Sequence, residues 1–155
     1  MKIKPLTLLL ALTFLFLFSG SVFGDDLQDG FDAYKRNDYK EAYKIWLPLA
    51  EQGDSGAQIN LAILYHQGLG IPQDYKKAVK WYQLSAEQGH AQAQSNLATM
   101  YSLGTGVPQD SKEAVKWSRL AAEQGHPAAM FNLGQYYYAG NGVPQDFAKA
   151  MKWYL

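Results

Sequence analysis

Four patterns carry residue types that can do chemistry. Gly53-Asp54-Ser55-Gly56 sets a serine beside an acid and between glycines, the local order of a nucleophilic serine. His66, His90 and His126 offer imidazoles for proton transfer or metal ligation. The Gly-x-Gly pairs 68/70, 104/106 and 140/142 have the opening spacing of a phosphate cradle. Lys76, Lys77 and Lys80 gather positive charge on one short segment. Each pattern fails a chemical requirement. The serine tetrad aligns, 36 residues on, with Gly89-His90-Ala91-Gln92 and again with Gly125-His126-Pro127-Ala128, so it reads as a turn between helices. The glycine pairs lack a third glycine, a preceding strand and a following Walker lysine. No S-x-x-K or H-E-x-x-H is present. His90 and His126 occupy equivalent turn slots. Packed helices hold such slots about 10 Å apart, too far to share a metal with short bonds, so the histidines read as solvated turn residues. The lysines read as a wet helix face. No catalytic, cofactor-binding or metal-binding residue is expected.

What positions all these residues is a 36-residue repeat. Pro72, Pro108 and Pro144 are 36 apart, as are Gly53, Gly89 and Gly125, and Trp81, Trp117 and Trp153. A fixed period of this size marks a solenoid, whose core is built by stacking copies. Ala57 to Tyr65, Ala93 to Tyr101 and Ala129 to Tyr137 show helical spacing of small and apolar residues and form helix A of each copy. Gly68 and its copies are the expected stops, because glycine accepts the left-handed conformation. Asp74, Asp110 and Asp146 precede helix B as expected N-caps, each contributing about 1 kcal/mol. Helix B spans about Tyr75 to Gln88, with Gly89 ending it. Ala57 and Ala78 permit close helix approach, and the repeated tryptophans are expected to fill the space between helix pairs. Asn60, Asn96 and Asn132 are poor mid-helix residues and are expected to tie helix A to a neighbouring loop.

The ends differ from the middle. Lys2 and Lys4 precede a thirteen-residue apolar run, Leu6 to Phe18, and a small-residue stretch to Gly24. This reads as a signal peptide over residues 1–24, cleaved near Gly24, since a span needs about 20 apolar residues. An uncleaved anchor reaching Phe23 is the alternative. Residues 25–53 form a degenerate first copy with a tight turn at Lys35 to Asp38 and an interrupting Pro48. Full copies follow at 54–89 and 90–125, with an incomplete one at 126–155. The last copy stops part-way along helix B, which is expected of a piece of a longer array; a last helix that frays and exposes apolar surface is the alternative.

Composition narrows the function classes. Hydrophobic residues make up 48% and charged residues 18% of the 155 positions, a balance that supports a packed core. Net charge is zero, and falls to −2 without residues 1–24, so no basic surface is expected for nucleic acid. There is no cysteine, hence no disulfide framework and no thiolate metal site.

The repeated string A-x-x-x-L-[AG]-x-x-Y-x-x-G-x-G-[IV]-P-x-D-x-x-x-A-x-x-W, followed by A-E-Q-G, resembles the Sel-1-like repeat family, related to the tetratricopeptide repeats. It covers residues 57 to 155, and residues 27 to 53 resemble a tetratricopeptide-like lead-in. The resemblance implies an all-α fold, a right-handed α-solenoid of antiparallel helix pairs. It also implies a protein-interaction scaffold with helix A on the concave face. A secreted branch of that family is cysteine-rich and linked to β-lactam binding or hydrolysis. The lack of cysteine here weakens that transfer.

Recognition is then expected where the copies differ. Variable helix A slots make Gln58, Ile63, His66, Gln94, Thr99, Met130, Phe131, Gln135 and Tyr138 the candidate partner-binding residues. Aromatic side chains favour the third copy as a hot spot, although Phe131 and Tyr136 also suit packing against a further repeat. The expected function is an exported, non-enzymatic scaffold that binds a protein or peptide. A peptidoglycan or carbohydrate binder using tyrosine platforms is the alternative, and a β-lactamase-like hydrolase comes last. No stable membrane span is expected after signal cleavage, and the expected location is periplasmic or secreted.

Overall fold

The computed structural model describes residues 26–154, and the expected signal peptide over residues 1–24 lies outside them. Among the described residues there are eight helices and no strands. Helix α1 covers residues 26–35 and α2 Tyr39–Glu51. Three longer-looped units follow. They are α3 Ser55–Gln67 with α4 Tyr75–Glu87, α5 Ala91–Leu103 with α6 Ser111–Glu123, and α7 Pro127–Ala139 with α8 Phe147–Tyr154. Substantial packing occurs between helices adjacent in the chain, the pattern of an α-solenoid. No described helix is long and apolar enough to cross a membrane.

Each boundary follows from local chemistry. The Asp74 carboxylate accepts from the Lys77 amide, Asp110 from Lys112 and Glu113, and Asp146 from Lys149. Gly68, Gly104 and Gly140 end the A helices at φ near +70° (69°, 69° and 73°). After each stop the loop is closed twice. The Gln73, Gln109 and Gln145 amides donate to the carbonyls of His66, Ser102 and Tyr138. The Asp74, Asp110 and Asp146 amides donate to Tyr65, Tyr101 and Tyr137. The second glycine of each pair has a different task. A Cβ on Gly106 would strike the Tyr75 carbonyl at the start of α4, one repeat earlier. Gly70 lies in the same way against Tyr39 and Lys40, and Gly142 against Ser111. The loop of one copy thus rests on the first turn of the preceding helix B.

The core runs along the array. Ala57, Ala93 and Ala129 on helix A, and Ala78, Ala114 and Ala150 on helix B, are fully or almost fully buried. Trp81 is half-buried and packs against both of the first two core clusters, while Trp117 is buried. The largest fully buried side chain is Trp46, one position off the repeated tryptophan slot. Its copies are Tyr82 and Ser118. Helix α2 continues through Pro48 rather than being interrupted there.

Glutamines lock successive copies together. Gln58 donates to the Ala50 carbonyl and accepts from Gln88, 2.8 Å away. Gln94 repeats this with Ala86 and Gln124. Two candidate recognition residues are therefore corrected. Gln58 and Gln94 are 3% and 4% exposed and act as buried clasps, because their amides complete the hydrogen bonds of the preceding helix end.

Candidate functional site: the variable strip of the A helices

The candidate residues separate into distinct surfaces. Ile63 is half-buried, while Thr99 and Gln135 are exposed in the same slot. One turn on, His66 and Ser102 are half-buried and Tyr138 is exposed. These slots share one face of α3, α5 and α7 and form a continuous variable strip. The Thr99 hydroxyl already donates to the Ser95 carbonyl, so its methyl group is what the strip offers. His66 packs edge-on against Tyr75 and Tyr82, with Nδ1 3.4 Å from the Tyr82 hydroxyl. Tyr138 packs on Phe147, the copy of Tyr75 two repeats on, with ring centroids 5.4 Å apart. The strip therefore changes from imidazole-on-tyrosine to tyrosine-on-phenylalanine along the array.

Phe131 belongs to a different surface. Its slot holds Ile59 and Ser95 in the earlier copies, and both are buried within the joint to the next copy. Phe131 is 55% exposed and leans on Tyr154. Together with Met130, Pro127 and Trp153 it borders a shallow hollow of about 190 Å³ on the stacking face of the third copy. Phe131 thus occupies the slot that Ile59 and Ser95 fill as buried residues, and Met130 the slot of the Gln58 and Gln94 clasps, so both candidate residues sit beside a repeat joint.

The histidines and asparagines also depart from expectation. His90 and His126 are N-caps of α5 and α7, half-buried rather than solvated turn residues. His126 Nδ1 accepts from the Ala129 amide, and its Nε2 lies 3.0 Å from the Gln92 amide oxygen. Asp54 fills the same capping role on α3 and accepts from Ala57, which makes the Gly-Asp-Ser-Gly tetrad a helix start. Among the described residues no group of three His, Asp or Glu side chains is placed to hold a metal. The asparagines do not reach loops. Asn96 accepts from Gln92 one turn back on its own helix, and its side chain sits beside the buried Tyr82 hydroxyl. Burial raises the pKa of that hydroxyl, and Asn96 offsets part of the shift. Tyr65 is raised likewise by burial and by its 3.0 Å contact with the Tyr43 hydroxyl.

One pocket was missed by sequence reasoning. Phe31, Tyr34 and Lys35 of α1, Trp46 of α2, and Asn60 and Ile63 of α3 enclose a pocket of about 330 Å³ at the start of the strip. Phe31 meets the Trp46 ring edge-on at 5.5 Å, and Tyr34 lies 5.9 Å from it. The signal available was the slot Trp46/Tyr82/Ser118 opposite Asn60/Asn96/Asn132, in which the partner of each asparagine changes identity.

Comparison with known proteins follows this geometry. The family model described as Sel1 repeat matches residues 27–54, 55–90, 91–126 and 127–155. A protective antigen of uropathogenic Escherichia coli displaying an SLR fold is 40% identical with a TM-score of 0.82. That match covers 85% of this chain and 29% of the antigen. A Sel1 repeat protein from Oxalobacter formigenes is 37% identical, TM-score 0.79, over 82% of this chain and 52% of that one. The cysteine-rich protein B of Helicobacter pylori, at 20% identity and TM-score 0.59 over 75% of this chain and 83% of its own, shares the fold. The chain thus spans about a third to a half of the length of the first two. No curated protein sequence matches.

Proposed function

The chain belongs to the Sel1 repeat family, whose members are generally protein-interaction scaffolds, and from that premise we propose that it is an exported scaffold that binds a protein or peptide along the concave, helix A side of its array. The observation that carries this reading is the variable strip. Ile63, Thr99 and Gln135, with His66, Ser102 and Tyr138, change chemistry from copy to copy. The interleaved Leu61, Leu97 and Leu133 do not change and are fully buried. A surface that varies on an unchanging frame is suited to reading a ligand rather than holding the fold. Export rests on residues 1–24, and mature protein is expected to begin at about Asp25 in an envelope fraction, read by N-terminal sequencing.

The test is affinity capture from an envelope extract with the parent chain and a Thr99→Ala/Gln135→Ala/Tyr138→Ala variant. A control carries Lys76→Ala and Lys80→Ala on the outer face of α4. A protein held by the parent and control but lost by the strip variant supports the reading. Equal retention by all three baits removes it. The exposed Tyr138 and Phe147 pair also suits sugar stacking, and retention of cell-wall fragments by the parent alone transfers the proposal to a glycan.

A further inference from the structure

The pocket at the head of the strip contains a polar group whose bonding is incomplete. Asn60 lines it, is 7% exposed, and has an Nδ2 atom without a hydrogen-bond partner. Burying an unpaired amide is unfavourable, so such a group calls for a reason. The repeat supplies the comparison. One copy on, Asn96 accepts from Gln92 and sits beside the Tyr82 hydroxyl. The matching positions in the first joint are Gly56, which has no side chain, and Trp46, whose Nε1 can only donate and is committed to the Leu27 carbonyl at 3.3 Å. In this joint neither position can serve the asparagine, and it is here that α1, α2 and α3 leave a pocket.

We propose that this pocket is the anchor subsite of the groove. It takes one aromatic or large aliphatic side chain of an acidic peptide in extended form, whose main-chain carbonyl accepts from Asn60. The proposal rests on the groove reading above and specifies its ligand. Four observations converge on that chemistry. The walls are Phe31, Tyr34, Trp46 and Ile63, which favour an apolar occupant. The volume of about 330 Å³ suits one large side chain together with its peptide group. The unpaired group is a donor, so the occupant brings an acceptor. The single charged residue lining the pocket is Lys35, 70% exposed and only loosely paired with Asp32 at 3.4 Å, which favours an acidic neighbour and disfavours a basic one. The terminal torsion of asparagine is soft, so the amide turns toward the pocket when an acceptor arrives.

The two roles open to Asn60 have opposite signatures. A structural asparagine loses stability when replaced by leucine of similar size. One held for a ligand gains stability and loses binding. The experiment pans a random heptapeptide library displayed on phage against the purified protein. Selected peptides are then measured against Asn60→Leu, Ile63→Lys and Tyr138→Ala. Expected are peptides pairing Phe, Trp or Leu with a neighbouring Asp or Glu. Their affinity falls about tenfold or more in Asn60→Leu and in Ile63→Lys, while Tm of Asn60→Leu rises by a few degrees. Unchanged affinity in Asn60→Leu, or a lowered Tm, overturns the proposal. Peptides lost only in Tyr138→Ala leave the groove reading standing and remove this subsite. A library that yields no binder removes both.

Discussion

Trp46 shows what a single residue does in this array. It is 1% exposed, meets Phe31 and Tyr34, and lies so close to Gly30 that any Cβ there would enter the indole ring. Truncation opens a cavity at the joint between the first two helix pairs. Trp46→Ala is expected to cost about 3–5 kcal/mol in urea unfolding, whereas the half-buried Trp81 in the neighbouring slot costs less. The buried glutamines work through bonds rather than volume. Gln94→Ala removes one bond from the Ala86 carbonyl, which keeps the Gly89 amide, and one from the Gln124 amide, which keeps the Leu120 carbonyl, and a loss of about 1 kcal/mol is expected. A neutral result there would mean that water replaces the clasp. The sequence showed Gln58 and Gln94 as conspicuous residues on helix A but not the direction in which they point. A polar residue in a variable slot reads equally as surface or as clasp until the preceding helix end is placed beside it.

At the scale of elements, caps and glycines set the boundaries. The two glycines near each turn have different costs, although both have positive φ. Gly89 has φ +92° and open space around its Cβ position, so Gly89→Ala carries only the backbone penalty, about 1–2 kcal/mol. Gly106 has φ +73° and the Tyr75 carbonyl against it. Gly106→Ala is expected to cost clearly more than Gly89→Ala in thermal unfolding, and equal costs would show that the loop can lift away from α4. The aspartate caps add a pH term. At Asp146 the bond from the Lys149 backbone amide, then that from its side chain, holds the carboxyl pKa below its ordinary 3.8. A depressed folded-state pKa gives stability that is present above the unfolded value and lost as pH falls through the folded one. Helix α8 is therefore expected to loosen below about pH 4, measured by amide exchange of Phe147–Tyr154, and Asp146→Asn removes that dependence. The alternation of A and B helices, their Asp caps and their glycine stops were legible in sequence, because each depends on a few adjacent residues. The role of the second glycine was not, since the group it avoids is about thirty residues earlier in the chain.

For the molecule as a whole, nearly all packing is between neighbours in sequence, so stability is a chain of joints rather than one closed core. Protection from hydrogen exchange is expected to be highest across α3 to α6, whose helices are covered on both sides, and lowest in α8, where Ala150 is the one buried residue. Uniform protection would indicate a single cooperative globule instead. The exposed Phe131 and Tyr154 meet on the stacking face of the third copy. That face and the variable strip are different surfaces on the same helices.

The repeat period, the helix pairs, the caps and the interaction-scaffold family were determined by the sequence alone. A solenoid repeats its short-range chemistry every 36 residues, and three copies in register average out local ambiguity. Which variable positions are available to a partner was decided only by the tertiary structure. Stacking buries one side of each helix A against the next copy. The slot of Phe131 falls on that side and Gln58 and Gln94 are buried against the preceding helix end, while Ile63, Gln135 and Tyr138 fall outside both. The pocket around Asn60 is likewise a property of the joint, because Phe31, Tyr34, Trp46 and Ile63, from three different helices, wall it together.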